Sequence, residues 1–102
     1  MIGFQVRTAY EILCVAHDAD VDQIRKAYRL LAKRLHPDHA GNSPEAENSF
    51  LELKAAYDIL RDPQRRLMYD HDPGAVLEDE IYAQKRRAHI KRRRKRLMRL
   101  YD

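Results

Sequence analysis

The sequence contains one cysteine, Cys14, and no tryptophan. A lone thiol excludes an intrachain disulfide and any zinc site built on cysteines. Only three glycines and four prolines occur in 102 residues, too few for the turn-dense connections of an all-β fold. No apolar run approaches the roughly 20 residues that span a bilayer. The first residues, Met1 to Arg7, lack the basic and then apolar regions of a secretory signal. There is no glycine-rich phosphate loop, and Cys14 has neither a nucleophile-elbow setting nor an evident base. His36 and His39 stand three apart across a proline with no third ligand in sight, so no metal is expected. These absences point away from an enzyme, a cofactor and a small-molecule substrate, and towards a cytoplasmic protein.

Charge and apolar residues are abundant, at 35% and 44%. That mixture suits amphipathic helices, and the length suits one compact domain. The net charge of +4 is unevenly spread. Residues 1–77 hold 10 Lys/Arg against 12 Asp/Glu, whereas residues 78–102 hold 10 against 4. The basic character therefore belongs to the tail.

Local signals place the helices. Thr8 and Glu11 have capping-box spacing for a short first helix over about 8–14, with Tyr10, Leu13 and Cys14 on one face. Asp20 and Gln23 repeat that spacing for a second helix. Ile24, Ala27/Tyr28, Leu31 and Leu35 form its apolar stripe, and Arg25, Lys26, Arg29 and Lys33 project oppositely. Pro37 ends it, because a residue preceding proline is pushed out of the α region. Asp38 to Asn42 reads as loop. Ser43 and Pro44 start a third helix with Ala46, Phe50, Leu53, Tyr57 and Leu60 as its stripe. Asp62-Pro63 opens a fourth, to about Tyr69. The second and third helices should form an antiparallel hairpin, braced by the first and fourth.

His71-Asp72-Pro73-Gly74 reads as a breaker and a domain boundary. From Ala75 a helix is permitted, with acidic residues near its start and arginines near its end. Its apolar residues, Ile81, Ile90, Leu97 and Leu100, make a weak stripe, so a solvated helix is expected rather than core.

His36-Pro37-Asp38 is conspicuous for its placement. An imidazole and a carboxylate flank a rigid proline where a helix with a basic face ends. Asp38 can pair with an arginine, and His36 can donate or accept.

Several motifs in order then identify a resemblance. Tyr10-Glu11-Ile12-Leu13, Ile24-Arg25-Lys26-Ala27-Tyr28-Arg29, His36-Pro37-Asp38, Phe50, Ala56-Tyr57-Asp58-Ile59-Leu60 and Arg66-Leu67-Met68-Tyr69-Asp70 resemble the J-domain of DnaJ-type co-chaperones over residues 8–70. The resemblance implies an all-α J-domain fold of four helices over 1–74, to which the composition of 75–102 adds a basic C-terminal helix. It implies a partner as well, a DnaK-type (70-kDa heat-shock) chaperone in its ATP-bound state. By that likeness His36, Pro37 and Asp38 would stimulate the partner's ATPase. Arg25, Lys26, Tyr28, Arg29 and Lys33 would be the docking face. In similar domains the loop aspartate can also reach the arginine matching Arg25.

The chain departs from the family pattern in places. Cys14 stands where many members have glycine, so a left-handed backbone there would be strained. Leu30 and Leu51, off their helices' buried stripes, and His39 occupy positions where basic residues are usual. They imply weaker docking or a less acidic partner surface. The tail cations Lys85, Arg86, Arg87, Lys91, Arg92, Arg93, Arg94, Lys95 and Arg96 could contact nucleic acid, ribosomal RNA in particular, or an anionic membrane. A plain solvated helix is the first reading of the tail, and a nuclear signal, another means of localisation or a protein partner is open as well. The sparse tail aromatics, Tyr82 and Tyr101, do not favour base stacking.

Overall fold

The computed structural model describes residues 7–41 and 43–100. Met1 to Val6, Asn42, Tyr101, Asp102 and the side chain of Leu100 lie outside the described residues. Every regular element described is a helix: α1 Ala9–Ile12, α2 Val21–Leu35, α3 Pro37–Ala40, α4 Pro44–Leu60, α5 Pro63–His71 and α6 Pro73–Leu100.

The caps work as their spacing predicts. Thr8 with Glu11 and Asp20 with Gln23 close reciprocal capping boxes, so each box satisfies an otherwise orphaned helix N–H. Ser43 accepts from the Ala46 N–H, and Pro44 and Pro63 take first-turn positions where a missing N–H costs nothing. Helix α1 ends in paired reverse bonds: the Cys14 N–H donates to the Glu11 carbonyl and the Val15 N–H to the Tyr10 carbonyl, each at 3.0 Å. This Schellman geometry requires a left-handed residue at its turn. Cys14 supplies it at φ 57°, the strained position expected of a non-glycine residue there.

Helices α2 and α4 form the hairpin. Tyr28 stacks on Tyr57 at 4.1 Å between ring centres, and His36 meets Phe50 edge-on at 5.8 Å. As the number rises along α2 its partner on α4 falls, so the pair is antiparallel. Ile24 and Leu53 are buried in the core, with Leu31 and Leu35 packed against it. The edge is closed by α1 and α5. The Tyr69 hydroxyl accepts from the Ala9 N–H at 2.7 Å, and the Tyr10 hydroxyl donates to Asp70 at 2.7 Å. Arg66 donates to the Tyr10 hydroxyl and to the His17 carbonyl, fastening α5 over α1. Tyr69 and Arg66 are therefore braces.

Two expectations change. The segment after Pro37 is a helical turn rather than loop, because proline starts a helix readily and the His36 side chain caps the Asp38 N–H. The larger change is α6, which is not a solvated helix through its first half. Leu77 is buried in the core, with Val76 and Ile81 packed against it. It runs antiparallel along α4: Gln84 donates to Asp58, and Arg92 pairs with Glu47. On α4, Glu47, Leu51, Ala55 and Asp58 share one side at helical spacing, and Leu51 and Ala55 are buried. Helix α4 is thus covered by α6 as well as by α1 and α2. Its second buried side was not apparent in the single stripe read from its sequence.

The contact is fastened by a carboxylate. Glu80, 5% exposed, bonds Arg65 of α5 at 2.5 Å and Arg87 one helical repeat on at 3.1 Å. Arg65 also donates to the Asp58 carbonyl at the end of α4. A buried charge is tolerable when paired and hydrogen-bonded in this way.

Candidate functional site

The exit of α2 sets the geometry of the triplet. His36 leaves the helix in an extended conformation at φ −60° and ψ 140°, as a residue before proline must. Pro37 then starts α3, and the His36 Nδ1 accepts the Asp38 N–H at 3.2 Å. That bond places the ring proton on Nε2 when His36 is neutral, leaving an N–H donor directed away from its own backbone contact. The imidazole rests edge-on against Phe50, so its orientation is set by α4 as well as by α2.

Asp38 has an open carboxylate. Its side chain is 85% exposed, and its near neighbour is the His36 ring at 3.5 Å. Among the described residues it pairs with no arginine. The expected contact with Arg25 is not made: Arg25 pairs with Asp22, one turn away. The reason is distance along a straight helix, since the ten residues from Arg25 to Leu35 rise about 15 Å. Asp38 is thus a free acceptor at the tip of the loop.

Above the loop, Arg25, Lys26, Arg29 and Lys33 are all exposed along α2. Tyr28 does not project with them. It lies half-buried on Tyr57, and burial is the main reason its hydroxyl pKa is raised, with the Asp58 and Tyr57 charges adding to it. Its part is to hold the cationic helix against α4. Two further residues border the cations: Leu30, 60% exposed, and Arg34, exposed in the last turn. Leu30 already stands out in the sequence as a large apolar residue off the buried stripe, and Arg34 is the one the sequence reading leaves out. Leu51 belongs elsewhere, buried on the α6 side of α4, and takes no part in this face.

The tail cations divide by environment. Arg87 is held by Glu80 and Arg92 by Glu47. Lys91, Arg94 and Lys95 border a groove between α4 and α6. Lys85, Arg86, Arg93 and Arg96 face solvent. Among the described residues no helix is long and apolar enough to cross a membrane, and no cluster of three metal-ligating side chains occurs.

Comparison with known proteins gives a consistent result. The family model described as the DnaJ domain matches residues 8–70. The chain is 48% identical over 73 residues to the Chaperone protein DnaJ of Halothermothrix orenii, a match covering 72% of this chain and 20% of that one. It is 53% identical over 68 residues to Chaperone protein DnaJ 1 of Cutibacterium acnes, covering 65% and 17%. It therefore spans about a fifth of the length of the curated relatives it matches. Among solved structures, the J-Trx1 fragment of ERdj5 superposes with a TM-score of 0.61 at 37% identity, over 66% of this chain and 32% of that one. The helical hairpin, the His36-Pro37-Asp38 turn and the match across residues 8–70 agree, and the chain belongs to the DnaJ domain family.

Proposed function

We propose that this chain is a co-chaperone that docks on a DnaK-type chaperone in its ATP-bound state and accelerates ATP hydrolysis by that partner. It would hydrolyse no ATP itself. Four exposed cations on α2 lead directly to a rigid turn whose Asp38 carboxylate is 85% exposed and bound to no arginine among the described residues, and this observation supports the reading best.

The cations suit an acidic partner surface and would speed encounter and fix register. Contacts of this kind are screened by salt, so docking would weaken as ionic strength rises. Asp38 would then meet a cationic group of the partner in a charge-assisted hydrogen bond. His36 offers its outward N–H beside it. Pro37 limits the rearrangement needed on binding, so less ordering entropy is lost. The effect on a distant ATPase site is a coupling free energy: docking shifts the partner only as far as it prefers the hydrolysis-competent state.

A steady-state ATPase assay with a purified DnaK-type chaperone tests the proposal. Stimulation by the intact chain should be lost in His36→Gln, with the helical fold unchanged by circular dichroism. Equal stimulation by that variant would refute the role of the loop.

A further inference from the structure

The groove between α4 and α6 lies outside the loop and the α2 face, and nothing in the function above uses it. It encloses about 940 Å³ and is open along one side, a volume near the upper end of the roughly 300–1,000 Å³ of ligand clefts. Leu51 contributes from α4 and Ile90 from α6, and Ile90 is 51% exposed. The apolar strip continues beyond it on α6 through Leu97 and Met98, 49% and 66% exposed.

Charge around this strip is one-sided. Two carboxylates border the groove, and both are already engaged: Glu47 with Arg92, and Asp58 with Arg61 and Gln84. Lys54, Lys91, Arg94 and Lys95 line the groove as well, and none makes an ion pair among the described residues. A concave surface with aliphatic side chains and unpaired cations attracts an anion that also carries aliphatic groups. Nucleic acid fits less well, because base stacking needs open aromatic faces. Phe50, the aromatic residue lining the groove, is engaged edge-on by His36. A flat membrane surface could not enter the concavity to reach Leu51.

We propose that the α4–α6 groove docks an acidic amphipathic segment of a partner protein. Aliphatic side chains of that segment rest on Leu51 and Ile90, and its carboxylates pair with Lys54, Lys91, Arg94 and Lys95. This is helix-in-groove recognition, in which apolar anchors supply affinity and rim charges supply register. The site is independent of chaperone stimulation and stands or falls separately from it.

Fluorescence polarisation with a labelled amphipathic Leu/Glu peptide tests the site on the full chain. Binding is expected, weakening as salt rises from about 50 to about 300 mM. A peptide with lysine in place of glutamate should not bind. Lys54→Glu with Lys95→Glu should weaken binding at least about tenfold, and so should Ile90→Asp. Lys85→Glu with Arg86→Glu makes the same charge change on exposed α6 positions outside the groove and should alter binding less than about twofold. Circular dichroism would confirm that each variant is folded. Equal loss in the two charge-reversed pairs would overturn the proposal, since diffuse attraction would then suffice. So would tighter binding of a single-stranded RNA or of phosphatidylserine vesicles through the same residues, or no binding of the Leu/Glu peptide.

Discussion

Arg65→Met is the sharpest perturbation of the contact that joins α6 to the rest of the domain. Arg65 donates to Glu80 and to the Asp58 carbonyl, so its loss removes one hydrogen bond to a backbone carbonyl and half of the cationic clamp on a buried carboxylate. Breaking a fully buried ion pair costs about 3–5 kcal/mol. Arg65 is 40% exposed and Arg87 remains beside Glu80, so about 2 kcal/mol is a suitable discounted value. The lost bond to Asp58 adds about 1 kcal/mol. A total near 3 kcal/mol would lower Tm by about 10–20 °C in a domain of this size. Glu80→Leu should behave differently, because it removes the buried charge and leaves arginines that water already reaches. Its cost should stay within about 1 kcal/mol. The double variant should then be more stable than Arg65→Met alone, since the orphaned carboxylate is gone. Thermal and urea unfolding followed by circular dichroism would give all three values. The reasoning is refuted if Arg65→Met lies within about 0.5 kcal/mol of the parent, or if the double variant loses the sum of the single costs.

Other perturbations probe separate features. Cys14→Gly should stabilise by about 0.5–1 kcal/mol, because relief of the left-handed strain exceeds the entropy added to the unfolded chain; no gain in urea midpoint would contradict the strain argument. Leu77→Ala should cost about 2–4 kcal/mol as a core truncation, measured by the same unfolding experiment, whereas a peripheral helix would lose almost nothing. The Tyr10 hydroxyl is raised chiefly by burial and then by its bond to Asp70, and Tyr28 chiefly by burial. The folded state therefore holds these protons more tightly than the unfolded state does. Their contribution is fully present below the ordinary tyrosine value of about 10 and is lost as pH rises through the higher folded values. Stability that stayed flat above about pH 10, with tyrosinate absorbance appearing at the ordinary value, would refute this.

Apart from α3, whose residues read as loop, the helices were legible because their signals are local. Each capping box needs only a side chain three residues from its partner, and proline acts on its own φ and on the residue before it. The strain at Cys14 was legible only through the family resemblance, which puts glycine at that position. The stripe on α2 and the cations opposite follow from a period of 3.6 residues, and they led to the loop before any packing was known.

What the sequence could not determine was which helical face a distant segment would cover. Leu51 and Ala55 look like stray apolar residues on α4 until α6 lies over them. The side of α6 that meets α4 includes Glu80 and Gln84, so its hydropathy resembles that of a solvated helix. Burial there is made possible by Arg65, Arg87 and Asp58, whose positions come from the packing of α4, α5 and α6 together. Distance and packing decided two further points. Arg25 is too far up α2 to reach Asp38, and the stripe that carried Tyr28 did not show that Tyr57 would stack on it. Periodicity can assign a residue to a face, but the partner of that face is fixed by long-range packing. The loop, the caps and the cationic stripe were therefore set by the sequence, while the covered side of α4 and the groove beside it arise only in the folded domain.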